Sequence, residues 1–106
     1  MRSADELNEL EQICPGAKEM PVGGIGFIFL PNLKVPGQGQ MDALLCPQAR
    51  DNYATRLFLS RQINGKGTNW TQHRILDRPW YTWSWKDVGA ELRLAEILAA
   101  HLSALR

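Results

Sequence analysis

Thr71 and His73 stand two residues apart in a segment crowded with tryptophan. A hydroxyl beside an imidazole is the smallest arrangement that supports nucleophilic acyl transfer, because the unshifted hydroxyl is a poor nucleophile until a base within hydrogen-bond reach takes its proton. In an extended segment residues i and i+2 point to one side, so Thr71 and His73 would meet. Thr68 is the only other hydroxyl between Ser60 and Tyr81 and is the second candidate nucleophile. A purely structural role is open to the same residues. Trp70 would anchor the segment to the body of the protein, His73 and Arg74 would bond backbone carbonyls, and Asp77 with Arg78 would form a surface ion pair worth under about 1 kcal/mol. Asn64-Gly65-Lys66-Gly67 then reads as a flexible turn whose glycines suit positive φ.

Thiol, metal and phosphate chemistry have weaker footholds. Cys14 ends a helical pattern and Cys46 ends an apolar strand pattern, where cysteine behaves as a small inert hydrophobe. With two cysteines and no CxxC or Cys/His cluster, neither a disulfide framework nor a zinc site is expected, and no cofactor is implied. Gly23-Gly24-Ile25-Gly26 precedes a β-like run, whereas a phosphate-cradling loop follows a strand and opens a helix. A bulge or close backbone approach at a strand start fits these glycines better.

All four tryptophans fall between Trp70 and Trp85. Large amphipathic rings in a long connection mark a segment pinned to the body of the protein and able to hold binding groups. Trp70, Arg74, Arg78, Trp80 and Trp83 are therefore the candidate partner-binding residues. Residues 1–49 carry six acidic and three basic side chains and residues 50–106 five and nine, which leans the second half toward an acidic partner. Arg56, Arg61, Lys66, Arg74 and Arg78 among tryptophans would also suit a single-stranded nucleic acid. The net charge of +1 argues against that, since phosphate binding calls for a basic domain.

The elements that must position these residues follow from pattern. The 106 residues suit one domain, 1–106, with 44% apolar and 22% charged side chains, neither a disordered nor a membrane composition. No apolar run approaches a bilayer-spanning length and no secretory signal pattern opens the chain, so a cytoplasmic location is expected. Ser3-Ala4-Asp5-Glu6 reads as a capping box, followed by a helix with Leu7, Leu10, Ile13 and Cys14 on one face that ends by Pro15-Gly16. Strands are predicted at Gly23 to Leu30, closed by Pro31-Asn32, at Met41 to Cys46 and at Thr55 to Ser60. Short loops between them imply an antiparallel meander. A closing helix begins near Asp87, and its stripe of Val88, Leu92, Ala95, Ala99 and Leu102 with Leu94, Leu98 and Leu105 covers the sheet. His101 lies beside Leu94, Leu98 and Leu105 and reads as a satisfied core histidine.

The fold class is thus α+β: an N-terminal helix, a meander of three to four antiparallel strands, a long Trp-rich crossing and a C-terminal amphipathic helix. That order, with Leu30-Pro31, Asp42-Ala43-Leu44-Leu45-Cys46-Pro47, the Tyr53 to Leu59 strand and Trp80-Tyr81-Thr82-Trp83-Ser84-Trp85, resembles the compact prokaryotic ubiquitin-conjugating-enzyme-like family. The resemblance runs from about Leu7 to Leu105. It implies a place in a bacterial ubiquitin-like modification system, beside an adenylating activating enzyme, a ubiquitin-like protein and often a deconjugating metalloprotease. In that family a cysteine in the crossing, preceded by a His-Pro-Asn stretch, carries the thioester. Residues 62–79 contain neither. Two expectations follow: a partner-binding component that forms no thioester, or an enzyme whose acceptor is a hydroxyl, Thr68 or Thr71, with His73 as base.

Overall fold

The computed structural model describes residues 3–50, 52–63, 70–83 and 88–105. Thr68, the turn at 64–67, Trp85 and Asp87 lie outside the described residues. The fold is α+β. Helix α1 (Ala4–Ile13) leads into strands β1 (Lys18–Val22), β2 (Ile25–Val35), β3 (Gly39–Cys46), β4 (Arg56–Leu59), β5 (Thr71–Ile75) and β6 (Arg78–Thr82), and helix α2 (Leu94–Ser103) follows. The strands form one curled antiparallel sheet in the order β1-β2-β3-β4-β6-β5.

Alternation sends each strand's side chains to two faces, and in the central strands β2 to β4 both carry buried residues. Beneath the helices, Ile28, Leu30, Ala43, Leu45, Leu57 and Leu59 pack with Leu10 of α1 and with Leu94, Ile97 and Leu98 of α2. On the opposite face Phe27, Leu44, Cys46, Phe58, Ile75 and Trp80 form a second cluster. A strand covered on both sides has no polar positions to spare, which is why Leu57, Phe58 and Leu59 read as an unbroken apolar run.

Three parts of the sheet depart from the sequence expectation. Lys18 to Val22 form a strand despite Pro21, because they lie at the sheet edge, and Gly23 and Gly24 take φ of 56° and 84° in the two-residue turn into β2. Strand β2 runs on past Pro31-Asn32. Leu30 pairs with Ala43 and Leu33 with Met41, so β2 spends one extra residue there, a bulge in which Asn32 takes φ 52° and donates its N–H to Asp42 Oδ1 at 3.1 Å. Most consequential, the Trp-rich segment is no irregular crossing where it is described. Thr71–Ile75 and Arg78–Thr82 are a β-hairpin closed by Leu76-Asp77, and Tyr81 pairs with Leu59 to join it to the sheet.

The helices also differ in detail. Ile13, expected on the buried face of α1, is 59% exposed, while Leu10 and Cys14 are buried. Helix α2 starts at Leu94 rather than near Asp87. Its first turn is met by carboxylates: Leu94 N–H donates to Glu6 Oε1 at 3.0 Å, Arg93 N–H donates to Glu96 Oε1 at 3.0 Å, and Arg93 Nε donates to Glu9 Oε1 at 3.2 Å. Glu6 thereby caps a helix 88 positions away, satisfying one of the N–H groups every helix start leaves open and adding negative charge at the positive end of the dipole.

Glu6→Ala should lower stability by about 1–2 kcal/mol, because it orphans a partly buried donor, whereas Glu6→Gln, which keeps an acceptor, should lose less than half of that. Urea unfolding midpoints of the two variants check this.

Candidate functional site

Strand β5 is held in place by its partner strand and by Trp80. The Trp80 ring is fully buried, meets Phe29 edge to face at 6.4 Å, and donates Nε1–H to the Ile75 carbonyl at 2.9 Å. Arg78 lies over the same ring, 4.3 Å from its centroid, and pairs with Asp42 at 3.5 Å. This locks Ile75 and Arg78 on either side of the turn. Thr71, His73 and Ile75 then share the face that holds the second cluster.

Along that face burial falls from Ile75 outward. Ile75 is buried, His73 half-buried and Thr71 exposed. The His73 ring meets Phe58 edge to face at 5.3 Å, and its Nε2 stands 3.1 Å from Thr71 Oγ1. The two candidates are therefore within hydrogen-bond reach, with the imidazole seated on an aromatic wall and the hydroxyl open to solvent. Base catalysis requires the Thr71 hydroxyl to donate to Nε2, which puts the histidine's own proton on Nδ1.

The partner-binding candidates separate into two groups. Trp80 and Trp83 are 0% and 2% exposed, so neither ring is available to a partner; they are core residues, against the sequence expectation. Burial of their large apolar surface is what fixes the hairpin, and this outweighs any gain from showing them to solvent. Trp70 is half-buried and lies 5.3 Å from the Trp83 ring. Arg74 is exposed, its Nη2 donating to the Asp77 carbonyl at 3.3 Å, and Arg78 is the cation held between Trp80 and Asp42. The stacking platform for a nucleic acid is likewise missing at Trp80 and Trp83, and Arg56, which lies 3.9 Å over the Tyr53 ring, is itself buried.

Both thiols are sealed. Cys14 donates Sγ–H to the Pro31 carbonyl and Cys46 to that of Gln48, each at 3.3 Å, and neither forms a disulfide. Burial, and secondarily the Asp42 charge, raises the Cys14 thiol above its ordinary pKa, which lowers the thiolate fraction that nucleophilic chemistry needs. Among the described residues no cluster of metal-ligating side chains occurs, and no helix is long and apolar enough to cross a membrane.

His101 forms a separate buried polar set. Thr55 Oγ1 donates to the Val88 carbonyl at 2.8 Å and lies 2.9 Å from His101 Nε2. A hydroxyl has one proton and a carbonyl none, so His101 Nε2–H is the donor to Thr55. This set ties Thr55, the residue before β4, to α2 and to the segment before that helix. It was invisible in the sequence because its members lie 33 and 46 positions apart.

Compared with protein-family models, with curated proteins and with solved structures, the chain finds no match in any of the three.

Burial, and secondarily the Arg56 charge, lowers His101 to a pKa of about 4. With the unfolded value near 6.5, the native state binds fewer protons between those limits. Stability is thus full above pH ~6.5 and falls as pH drops toward 4, by on the order of 3 kcal/mol at pH 4. His101→Gln keeps a donor for Thr55 and removes the titration, so the stability gap between wild type and this variant should shift by that amount from pH 7 to pH 4 in urea unfolding.

Proposed function

We propose that this protein is a ubiquitin-conjugating-like component of a bacterial ubiquitin-like modification pathway that binds the ubiquitin-like protein or its activating enzyme without forming a thioester. The observation that carries the negative half is the burial of Cys14 at the end of α1 and of Cys46 at the end of β3, each with its S–H bonded to a backbone carbonyl. With 2% and 0% of their surface exposed, Cys14 and Cys46 do not present a sulfur to an activating enzyme's acyl group. The order of helix, antiparallel strands and closing helix supports the family resemblance, which supplies the pathway. The partners it implies are a ubiquitin-like protein, an adenylating activating enzyme and a deconjugating metalloprotease.

A second reading is favoured by one distance, the 3.1 Å between Thr71 Oγ1 and His73 Nε2. In it the chain is an enzyme. Thr71 Oγ1 forms an ester bond to the carboxyl carbon of the ubiquitin-like protein, its proton passes to His73 Nε2, and the bond from that carbon to the adenylate phosphate or to the activating enzyme's sulfur breaks. Transfer to an amine then releases Thr71. Thr68, the other hydroxyl candidate, lies outside the described residues.

Intact-mass analysis after incubation with ATP, an activating enzyme and a ubiquitin-like protein encoded in the same genome separates the readings. The binding reading expects no adduct together with stable co-elution of a partner. An adduct lost to a thiol reductant would overturn it. An adduct that survives thiol, is cleaved by hydroxylamine and is absent in Thr71→Val would replace it with the oxyester enzyme, and His73→Gln should then slow its formation by about 100-fold or more.

A further inference from the structure

The sheet has two edges, and they are finished differently. In a hairpin with a two-residue turn the flanking pair exchanges both hydrogen bonds, and bonded and non-bonded pairs alternate from there. In the first hairpin Val22 faces Ile25 and Pro21 faces Gly26, so Pro21 turns its backbone outward on β1. Consistently, Gly26 N–H points away from β1 and donates to Gln48 Oε1 at 3.4 Å. Of the two positions on β1 that turn outward, Glu19 opposite Ile28 and Pro21 opposite Gly26, one has no N–H to offer and the other carries a charge, two common devices against strand addition.

Strand β5 has no proline at such a position. Ile75 faces Arg78 across Leu76-Asp77, so the bonded pairs are Ile75 with Arg78, His73 with Trp80 and Thr71 with Thr82. Two features agree with this phase. Pro79, which cannot donate, falls at a non-bonded position opposite Arg74, and Tyr81, opposite Gln72, turns its backbone to Leu59 of β4. Gln72 and Arg74 therefore aim both N–H and C=O away from the sheet, and among the described residues nothing meets these backbone groups. Their side chains are exposed, and Arg74 is the only fully charged side chain on the strand. Beside the edge, Arg50, Arg74, Ile75 and Asp77 line a cavity of about 440 Å³ with Val22 and Ile25 of the first hairpin.

We propose that the outer edge of β5 accepts an extended segment of a partner protein as a seventh, antiparallel strand, bonded to the backbone of Gln72 and Arg74 and carrying an acidic side chain beside Arg74. Main-chain bonds supply such affinity and alternate side chains the specificity. The inference deepens the conjugation reading, on which it rests for the source of the segment, the ubiquitin-like protein. An antiparallel strand on β5 runs its carboxyl end toward Thr71, the side where the hydroxyl and His73 lie.

The probe is a phage-displayed library of random octapeptides, panned in parallel against the full chain and against Gln72→Pro. Proline at residue 72 removes only the outward N–H, because that N–H takes no part in the ladder with β6. Selected peptides should carry an acidic residue, should shift the amide resonances of Gln72 and Arg74 most, and should bind Gln72→Pro at least about tenfold more weakly while binding Gln72→Ala within about twofold. The proposal is overturned by peptides that bind Gln72→Pro equally well, or by an empty selection. It is also overturned by slow hydrogen exchange at Gln72 and Arg74 in the chain alone: concentration-independent protection would mean that the chain covers its own edge, and protection rising with concentration would make the occupant a second copy. Peptide capture at β5 without co-elution of a ubiquitin-like protein would keep the strand site and remove the conjugation reading. Co-elution that Gln72→Pro leaves intact would do the reverse.

Discussion

The burial of Trp80 is the constraint from which the arrangement of the sheet follows. Its indole fills the cluster on the face away from the helices, and its Nε1–H reaches back across the hairpin to the Ile75 carbonyl. A buried tryptophan that loses its donor's partner costs about 1–3 kcal/mol in addition to its apolar area, so the ring and the turn hold each other in place. With Trp80 fixed, β5 has one register only. A slip by one residue would send His73 and Ile75 to the opposite face and Arg74 into the apolar cluster. The proximity of Thr71 to His73 is a consequence of that register rather than of any local preference of the two residues.

The turn that this register demands is strained. Leu76 and Asp77 occupy positive φ of 55° and 61°, a region in which non-glycine residues cost about 1 kcal/mol or more each, and Leu76 is also 37% exposed. Asn-Gly would relieve both costs. The strain is sustained because three independent ties converge on the hairpin: the Trp80 bond to Ile75, the Arg78 ion pair with Asp42, and the bond from Arg74 Nη2 to the Asp77 carbonyl. Asp42 matters beyond its ion pair. It also takes the N–H of Asn32 in the β2 bulge, while its own carbonyl receives the Ser60 N–H, so one residue of β3 links the bulge, the end of β4 and the hairpin.

Much of this was legible in the residue pattern, and the failures have physical causes. Helix α1 and strands β2 to β4 announce themselves through a capping serine and through apolar runs that strands buried on both faces require. The β5–β6 hairpin did not, since Leu-Asp is no turn signal, Pro79 demotes a strand reading, and Thr-Gln-His-Arg-Ile shows only three polar or charged residues between a threonine and one isoleucine. The start of α2 was misplaced because its stripe of apolar residues begins at Val88, before the helix does. The signal that marks the true start, Glu96 three residues after Arg93, was present but lacked the usual small polar cap. For the site, period-two spacing joins Thr71 to His73 in space, while composition, which marks Trp80 and Trp83 as partner-binding candidates, carries no signal that both rings are buried.

The contrast between the two edges bears on what the hairpin is for. A sheet that needed only to be stable gains nothing from donors that no described residue meets on β5 while a proline removes one donor from β1, and an open edge carries the hazard of unspecific pairing. Edge strands are ordinarily blunted by charge pointed along the ladder, by proline at the outward position or by bulges. Strand β5 has its only proline neighbour, Pro79, on the inner strand, at a position facing past the end of β4. Its polar hydroxyl and imidazole sit on one face of the same open edge, held by rigid elements rather than by a loop. Rigid placement is what precise geometry at a reacting or recognising group needs, and the cost of that placement is visible in the strained Leu76-Asp77 turn. The open edge, the exposed pair and the strained turn are thus three aspects of one hairpin whose position Trp80 dictates.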